Sequence, residues 1–310
     1  MLALVFTAPN TVELQEVPTP EPAAGEQLIR VDAVGICGSE LHGIRSTDFR
    51  TPPLVMGHEF GGTTADGRRV TVNPLLSCGE CDLCRRGLAH LCRERGIIGI
   101  ARPGAFAEYV SVPESAIHEL PDGMSFETAA MIEPLANAVH AVGLAAPEPG
   151  CRIAVLGAGT IGLVTLSVAR RHTDQVVVAD LSADRLRLAE RLGASAVTDE
   201  LAGEFDVIID AVGAAATHEA SVRHLRRGGR AVWLGLLSSD PGFDGQQIVR
   251  DEKLVTGSYC YTPDDFTASI ELAAAADLDW TTSFPLTLGD KIFTELAGGR
   301  QDVVKALLRP

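Results

Sequence analysis

The sequence predicts an α/β protein in which a doubly wound parallel-sheet domain is joined to an irregular β-rich domain with a cysteine-rich lobe. Three observations predict it. Gly157-Ala-Gly-Thr-Ile-Gly162 lies between an apolar strand and an apolar helix; continuous apolar strands alternate with helices over the middle of the chain; and four cysteines crowd into residues 78–92.

The middle of the chain comes first. Near Glu133 a helical spacing of apolar residues begins and runs to Pro147-Glu-Pro-Gly150. Arg152-Ile-Ala-Val-Leu then reads as a buried strand, and an apolar helix extends to Ala169. Val176-Val-Val-Ala is a second strand, followed by a charged helix from Ser182 to Leu192 with Ser182 as N-cap. Phe205-Asp-Val-Ile-Ile and Arg230-Ala-Val-Trp-Leu are further short apolar runs. Strands without a polar face imply a parallel sheet covered on both sides. This places a Rossmann-type domain at 137–261 and the other domain at 1–136 with 262–310.

The glycine turn carries the first chemistry. Gly157 permits the tight turn, Gly159 lets backbone approach a pyrophosphate, and Gly162 lets helix and strand pack closely. The anion then lies at a helix N-terminus, where free N–H groups and the dipole favour it. Asp180 closes the next strand and is expected to accept hydrogen bonds from the adenosine ribose. A carboxylate there repels a 2′-phosphate, and the next residue is Leu181 rather than Arg, so NAD is expected over NADP. Thr160, Ile161 and Arg185 complete the expected cofactor contacts.

The first third of the chain is rich in Pro and Gly, with strand patterns at Leu28–Val34 and Gly67–Val72. Within it, Cys78-Gly-Glu-Cys81-Asp-Leu-Cys84 and Cys92 offer four soft ligands with no open position. A closed structural zinc site is the expectation; a four-thiolate iron–sulfur cluster and redox cysteines are the alternatives. Two further segments carry metal-ligand residues: Gly35-Ile-Cys37-Gly-Ser39-Glu40-Leu-His42 and Gly57-His58-Glu59.

These motifs, taken with Glu133-Pro-Leu-Ala and the glycine turn in the same order, resemble the zinc-containing medium-chain dehydrogenases/reductases, the family of alcohol and sorbitol dehydrogenases. The resemblance spans nearly the whole chain. It implies a GroES-like catalytic domain and two zinc ions per chain, one structural and one catalytic. By it, Cys37 and His58 are catalytic-zinc ligands. Alcohol dehydrogenases take a later cysteine as third ligand; here Glu133 stands in that region, as in sorbitol and butanediol dehydrogenases. Glu133 is thus expected to ligate the zinc or to hold its water, with Glu59 as ligand or immediate neighbour. Ser39 and His42 match the family's proton relay.

The implied activity is NAD-linked oxidation of a secondary hydroxyl on a polyol, sugar alcohol, amino-alcohol or diol, the zinc acting as Lewis acid. Pro134-Leu-Ala-Asn137-Ala-Val-His also resembles L-threonine 3-dehydrogenase, the alternative reading. A non-catalytic NAD(H)-binding redox sensor is disfavoured because ligand and relay residues are all present. The segment between Glu59 and Arg69 is short for the family, as is the chain after Thr262. Gly43 replaces the aromatic of sorbitol dehydrogenases and is expected to leave room for a bulkier substrate.

Composition bounds the partners. With 26 Lys plus Arg against 41 Asp plus Glu, the net charge of −15 argues against nucleic-acid binding. The N-terminus shows no basic, apolar leader, and the apolar run from Ile161 to Ala169 is too short to cross a bilayer, so a cytoplasmic protein with no membrane partner is expected. Arg230–Tyr261 matches strands that relatives use for contacts between subunits, so a homo-oligomer, dimer or tetramer, is expected.

Overall fold

Tetrapeptides such as Ile153–Leu156 and Val176–Ala179 have no polar face to offer water, and both form strands buried at every residue. In the computed structural model, which describes residues 1–238, 245–300 and 302–310, the chain divides into two compact units. One is Met1–Glu133 with Thr262–Pro310; the other is Pro134–Tyr261.

The second unit is built on a six-stranded parallel sheet. Its spatial order is Ala196–Thr198, Val176–Ala179, Ile153–Leu156, Phe205–Asp210, Leu225–Trp233, Leu254–Gly257. In chain order this is 3-2-1-4-5-6, the doubly wound arrangement whose strand order reverses beside the first strand. Ile153 lies opposite Val176 on one side and Val207 on the other. Ala154, Leu156, Phe205 and Ile208 form the core of one face. The helix Ala183–Arg191 starts where Ser182 accepts the Arg185 N–H on its hydroxyl. Part of the segment assigned to subunit contacts, 239–244, lies outside the described residues.

The first unit is organised around the strand Glu26–Gly35. It sits in a seven-stranded sheet of order Ile117–Glu119, Arg69–Val72, Glu59–Thr64, Glu26–Gly35, Lys305–Arg309, Thr281–Pro285, and Tyr109–Pro113 also pairs with it. Leu2–Ala8 forms a smaller sheet with Thr11–Glu16 and Leu54–Val55. Phe6, Ile29, Phe60, Phe106 and Phe293 fill the core. The short segment after Glu59 is a tight connection in which the Gly67 N–H reaches the Thr64 carbonyl. The end of the chain is central: Leu307 pairs with Gly35 in antiparallel register. Among the described residues no helix is long and apolar enough to cross a membrane.

Gly162 allows the closest approach in the parallel-sheet unit. A Cβ there would lie 1.8 Å from the Gly157 carbonyl oxygen. Gly162→Ala therefore forces the helix off the strand, and we expect a loss of about 1–3 kcal/mol in urea unfolding. An unchanged unfolding midpoint would contradict this packing.

Candidate metal centres and dinucleotide site

The cysteine lobe is a short loop that builds no core of its own. Cys81 caps the one-turn helix Asp82–Arg85, its sulfur accepting the Cys84 N–H, and Cys92 follows the turn Ala89–Leu91. Four of the sulfur–sulfur separations are 3.5, 3.5, 3.9 and 4.0 Å. A tetrahedral zinc with Zn–S of about 2.3 Å requires edges of about 3.8 Å, so the four thiols fit a closed tetrahedral ion. They are too far apart for disulfides, whose S–S length is about 2.05 Å. The Cys84 N–H holds the Cys81 thiol down at about 6. Burial among the other thiols pushes Cys84 up to about 11. Thiolates crowded this closely need a cation to ionise together.

The second constellation arises from strand register. Glu59 pairs with Gly35, so His58, just before Glu59, and Cys37, two residues after Gly35, come to the same end of the sheet. Gly57, at φ +98°, makes the turn that aims His58 there, a conformation L side chains rarely adopt. Ligand atoms of Cys37, His58 and Glu59 all lie within 4.8 Å of one another. Glu133 is buried in the first turn of the helix Ile132–Ala145 and lies outside this group of three.

Two side chains that the motifs did not single out hold the group together. The fully buried Glu40 accepts the Cys37 N–H and the Gly57 N–H, each at 2.9 Å, and lies 3.1 Å from Nδ1 of His58. One carboxylate thus fixes both ligand loops and occupies Nδ1, leaving Nε2 for a metal. Burial alone would lower the His58 pKa, but Glu40 and Cys37 raise it well above the ordinary range. Burial alone would raise Glu40, but His58 and Arg50 bring it below the ordinary range. The signal for Glu40 was its place three residues after Cys37, the spacing of a capping box.

The other is Lys305, whose ammonium is buried, donates to the Ile36 carbonyl at 3.1 Å and pairs with Glu59 through Oε2. Burial would lower its pKa, yet Glu59 and Cys37 raise it. Nothing local in Lys305-Ala-Leu-Leu announces this role; it follows from the chain end entering the sheet. Ser39 and His42 lie on the solvent-facing side of the helix Gly38–Gly43, and partial desolvation of the His42 ring, with the Arg45 charge, lowers its pKa. Gly43 does not leave open space: a Cβ there would lie 1.9 Å from Nη1 of Arg50, which already fills it.

In the parallel-sheet unit, Gly157 ends the first strand at φ +94°, and Gly159 caps the helix Thr160–Ala169. Asp180 sits beside the turn, accepting the Ala158 N–H at 2.7 Å and the Ser182 N–H at 2.8 Å. Thr160 and Ile161 lie half-buried in the first helical turn, and Arg185 has its Nε buried without a partner. A glycine turn, a helix start and an orphaned guanidinium nitrogen suit a dinucleotide.

Known proteins resemble this chain over nearly its whole length. Residues 23–122 match the alcohol dehydrogenase GroES-like domain, and residues 160–275 match the zinc-binding dehydrogenase domain. The L-galactonate-5-dehydrogenase of Escherichia coli K12 is 33% identical, covering 97% of each chain. The chain belongs to the zinc-containing medium-chain dehydrogenases. Another member, L-threonine 3-dehydrogenase of Streptomyces avermitilis, is 36% identical over 79% of this chain and 80% of its own. A solved structure from Sinorhizobium meliloti 1021, described as a zinc-binding dehydrogenase bound to NADP, is 31% identical with a TM-score of 0.94, covering 100% of this chain and 99% of its own. As a family member the chain is a zinc-dependent dehydrogenase.

If Glu40 positions both ligand loops, Glu40→Ala should weaken zinc binding at the Cys37–His58 site by about 10- to 100-fold. Chelator competition should then show one of two zinc ions leaving early, with the cysteine-lobe ion unaffected. Equal retention of both ions would refute the role given to Glu40.

Proposed function

We propose that this dehydrogenase oxidises a secondary hydroxyl on a polyol or polyhydroxy acid with NAD as hydride acceptor. The observation that carries the reading is the convergence of Cys37, His58 and Glu59 on one point. One thiolate, one imidazole and one carboxylate leave a tetrahedral ion its fourth position for substrate, unlike the closed four-cysteine lobe. Glu59 would offer a carboxylate oxygen to the ion while Lys305 pairs with Oε2. Glu133, buried in the first turn of its helix, would hold a water or hydroxyl bound by the ion.

Zinc, when bound, supplies Lewis acidity that lowers the pKa of an alcohol. The remaining steps belong to the chain. Ser39, two residues after Cys37, takes the proton of the substrate hydroxyl. His42, exposed and with its pKa lowered, stands neutral at neutral pH and passes the proton to solvent. Asp180 would accept the adenosine ribose hydroxyls, and the helix that begins at Thr160 would hold the pyrophosphate at its N-terminus.

L-galactonate, the substrate in one relative's name, supports a polyhydroxy substrate. L-threonine, in another's, makes a hydroxy-amino acid the second reading. The reading extends to a cytoplasmic homo-oligomer, dimer or tetramer. The edge strand Leu254–Gly257, with exposed Leu254 and Val249 beside it, is the surface that would pair.

The test is NADH formation by the zinc-loaded enzyme over sorbitol, galactitol, 2,3-butanediol, L-galactonate and L-threonine. We expect turnover with a polyhydroxy member and little with L-threonine; turnover of L-threonine alone would replace this reading with the second. Ser39→Ala should lower kcat by about 10²- to 10⁴-fold while zinc content stays the same. A kcat within twofold of the parent would remove Ser39 from the relay.

A further inference from the structure

Arg50 is the most buried large polar side chain outside the proposed metal ligands and their partners. It is 1% exposed, and only one edge of its guanidinium is used. Nη1 donates to the Ser39 carbonyl at 3.1 Å and lies in the space that a side chain at position 43 would need. Nε and Nη2 are buried without any hydrogen-bond partner. A guanidinium left with two orphaned donors away from water is costly, and such groups are retained where a partner arrives.

The orphaned pair is chemically specific. Nε and Nη2 point the same way from one edge of the fork, the edge that grips two oxygens of a carboxylate or phosphate in parallel. The other end is anchored to Ser39, the residue placed in the proton relay, two residues from Cys37. Among the described residues no carboxylate bonds the free edge. Glu40, on which Arg50 acts electrostatically, spends its oxygens on Cys37, Gly57 and His58. The half-exposed Phe49 ring lies 5.6 Å from the guanidinium carbon.

We propose that Arg50 is a specificity-determining residue, its Nε–Nη2 edge binding the anionic end of the substrate, a carboxylate or phosphate, after the Phe49 ring swings aside. Gly43 is the companion change: the absent side chain gives the guanidinium its place beside the relay helix. The proposal rests on the polyhydroxy-substrate reading and narrows it to polyols that carry a negative charge.

The test uses the zinc-loaded enzyme with NAD and a matched series: galactitol, L-galactonate and galactitol 1-phosphate. Binding is read by calorimetry and turnover as kcat/KM. The parent should favour at least one anionic member over galactitol by about 10- to 100-fold, the effect of a charge-assisted bidentate pair. Arg50→Gln should collapse that ratio towards one. Arg50→Lys keeps the charge but loses the fork, and should lose at least about tenfold for L-galactonate if that is the preferred member. It also decides the matter should Arg50→Gln fail to fold.

No anionic preference in the parent, or an unchanged preference in both variants, overturns the proposal. So does a weaker Kd for NAD in the variants with the substrate ratio intact, because the edge would then serve the cofactor's pyrophosphate. Oxidation of galactitol without anionic preference leaves the polyhydroxy reading standing. Neither binding nor oxidation of any of the three overturns both.

Discussion

The Glu40 carboxylate is the constraint on which the rest of the catalytic unit depends. It joins the loop that carries Cys37 to the loop that carries His58, by two backbone N–H groups and an imidazole nitrogen. A buried carboxylate with three donors is a strong, directional knot in a low-dielectric setting. Without it the two loops are related through the sheet register of Glu59 and Gly35 and through Lys305, which bonds both the Ile36 carbonyl and Glu59. Lys305 ties the third corner, because the last strand of the chain enters the sheet beside Gly35 and delivers a cation to Glu59.

Charge explains why so many ionisable groups tolerate burial here. Cys37 as thiolate, Glu40 and Glu59 would carry three negative charges against two positive ones, on Lys305 and Arg50. A divalent cation would offset the remaining negative excess, with His58 neutral and offering its Nε2. The strong pull on the His58 proton is the mark of the same negative excess. The cysteine lobe repeats the logic with sulfur alone: four thiols at tetrahedral spacing, one with its pKa held down and a neighbour pushed up. The first site combines hard and soft donors with room for a further ligand, whereas the second is closed.

The parallel-sheet unit was legible from the sequence because its signals are local: apolar strands of four residues, a glycine turn between strand and helix, Ser182 as cap. The cysteine lobe was legible for the same reason, since all its ligands fall in residues 78–92. Cys37 and His58 were recognisable only through motif order. What escaped was non-local. Lys305 meets Glu59 across 246 residues of chain, and no pattern near the C-terminus encodes that contact. Glu40 stood in plain sight within its motif, but its burial and its three donors are properties of the turn at Gly57. Gly43 read alone suggests open space; beside Arg50 it is filled space.

X-ray absorption at the zinc edge of the fully loaded protein tests the two-centre account most directly. One all-sulfur site and one site with a single sulfur, a nitrogen and two oxygens average to about 2.5 sulfurs and about 1.5 nitrogen or oxygen ligands per zinc, with Zn–S near 2.3 Å and the lighter ligands near 2.0–2.2 Å. Two zinc ions per chain with that mixed shell is the predicted result. A single ion with a purely sulfur shell would show that Cys37, His58 and Glu59 converge without holding a metal, and would contradict the account.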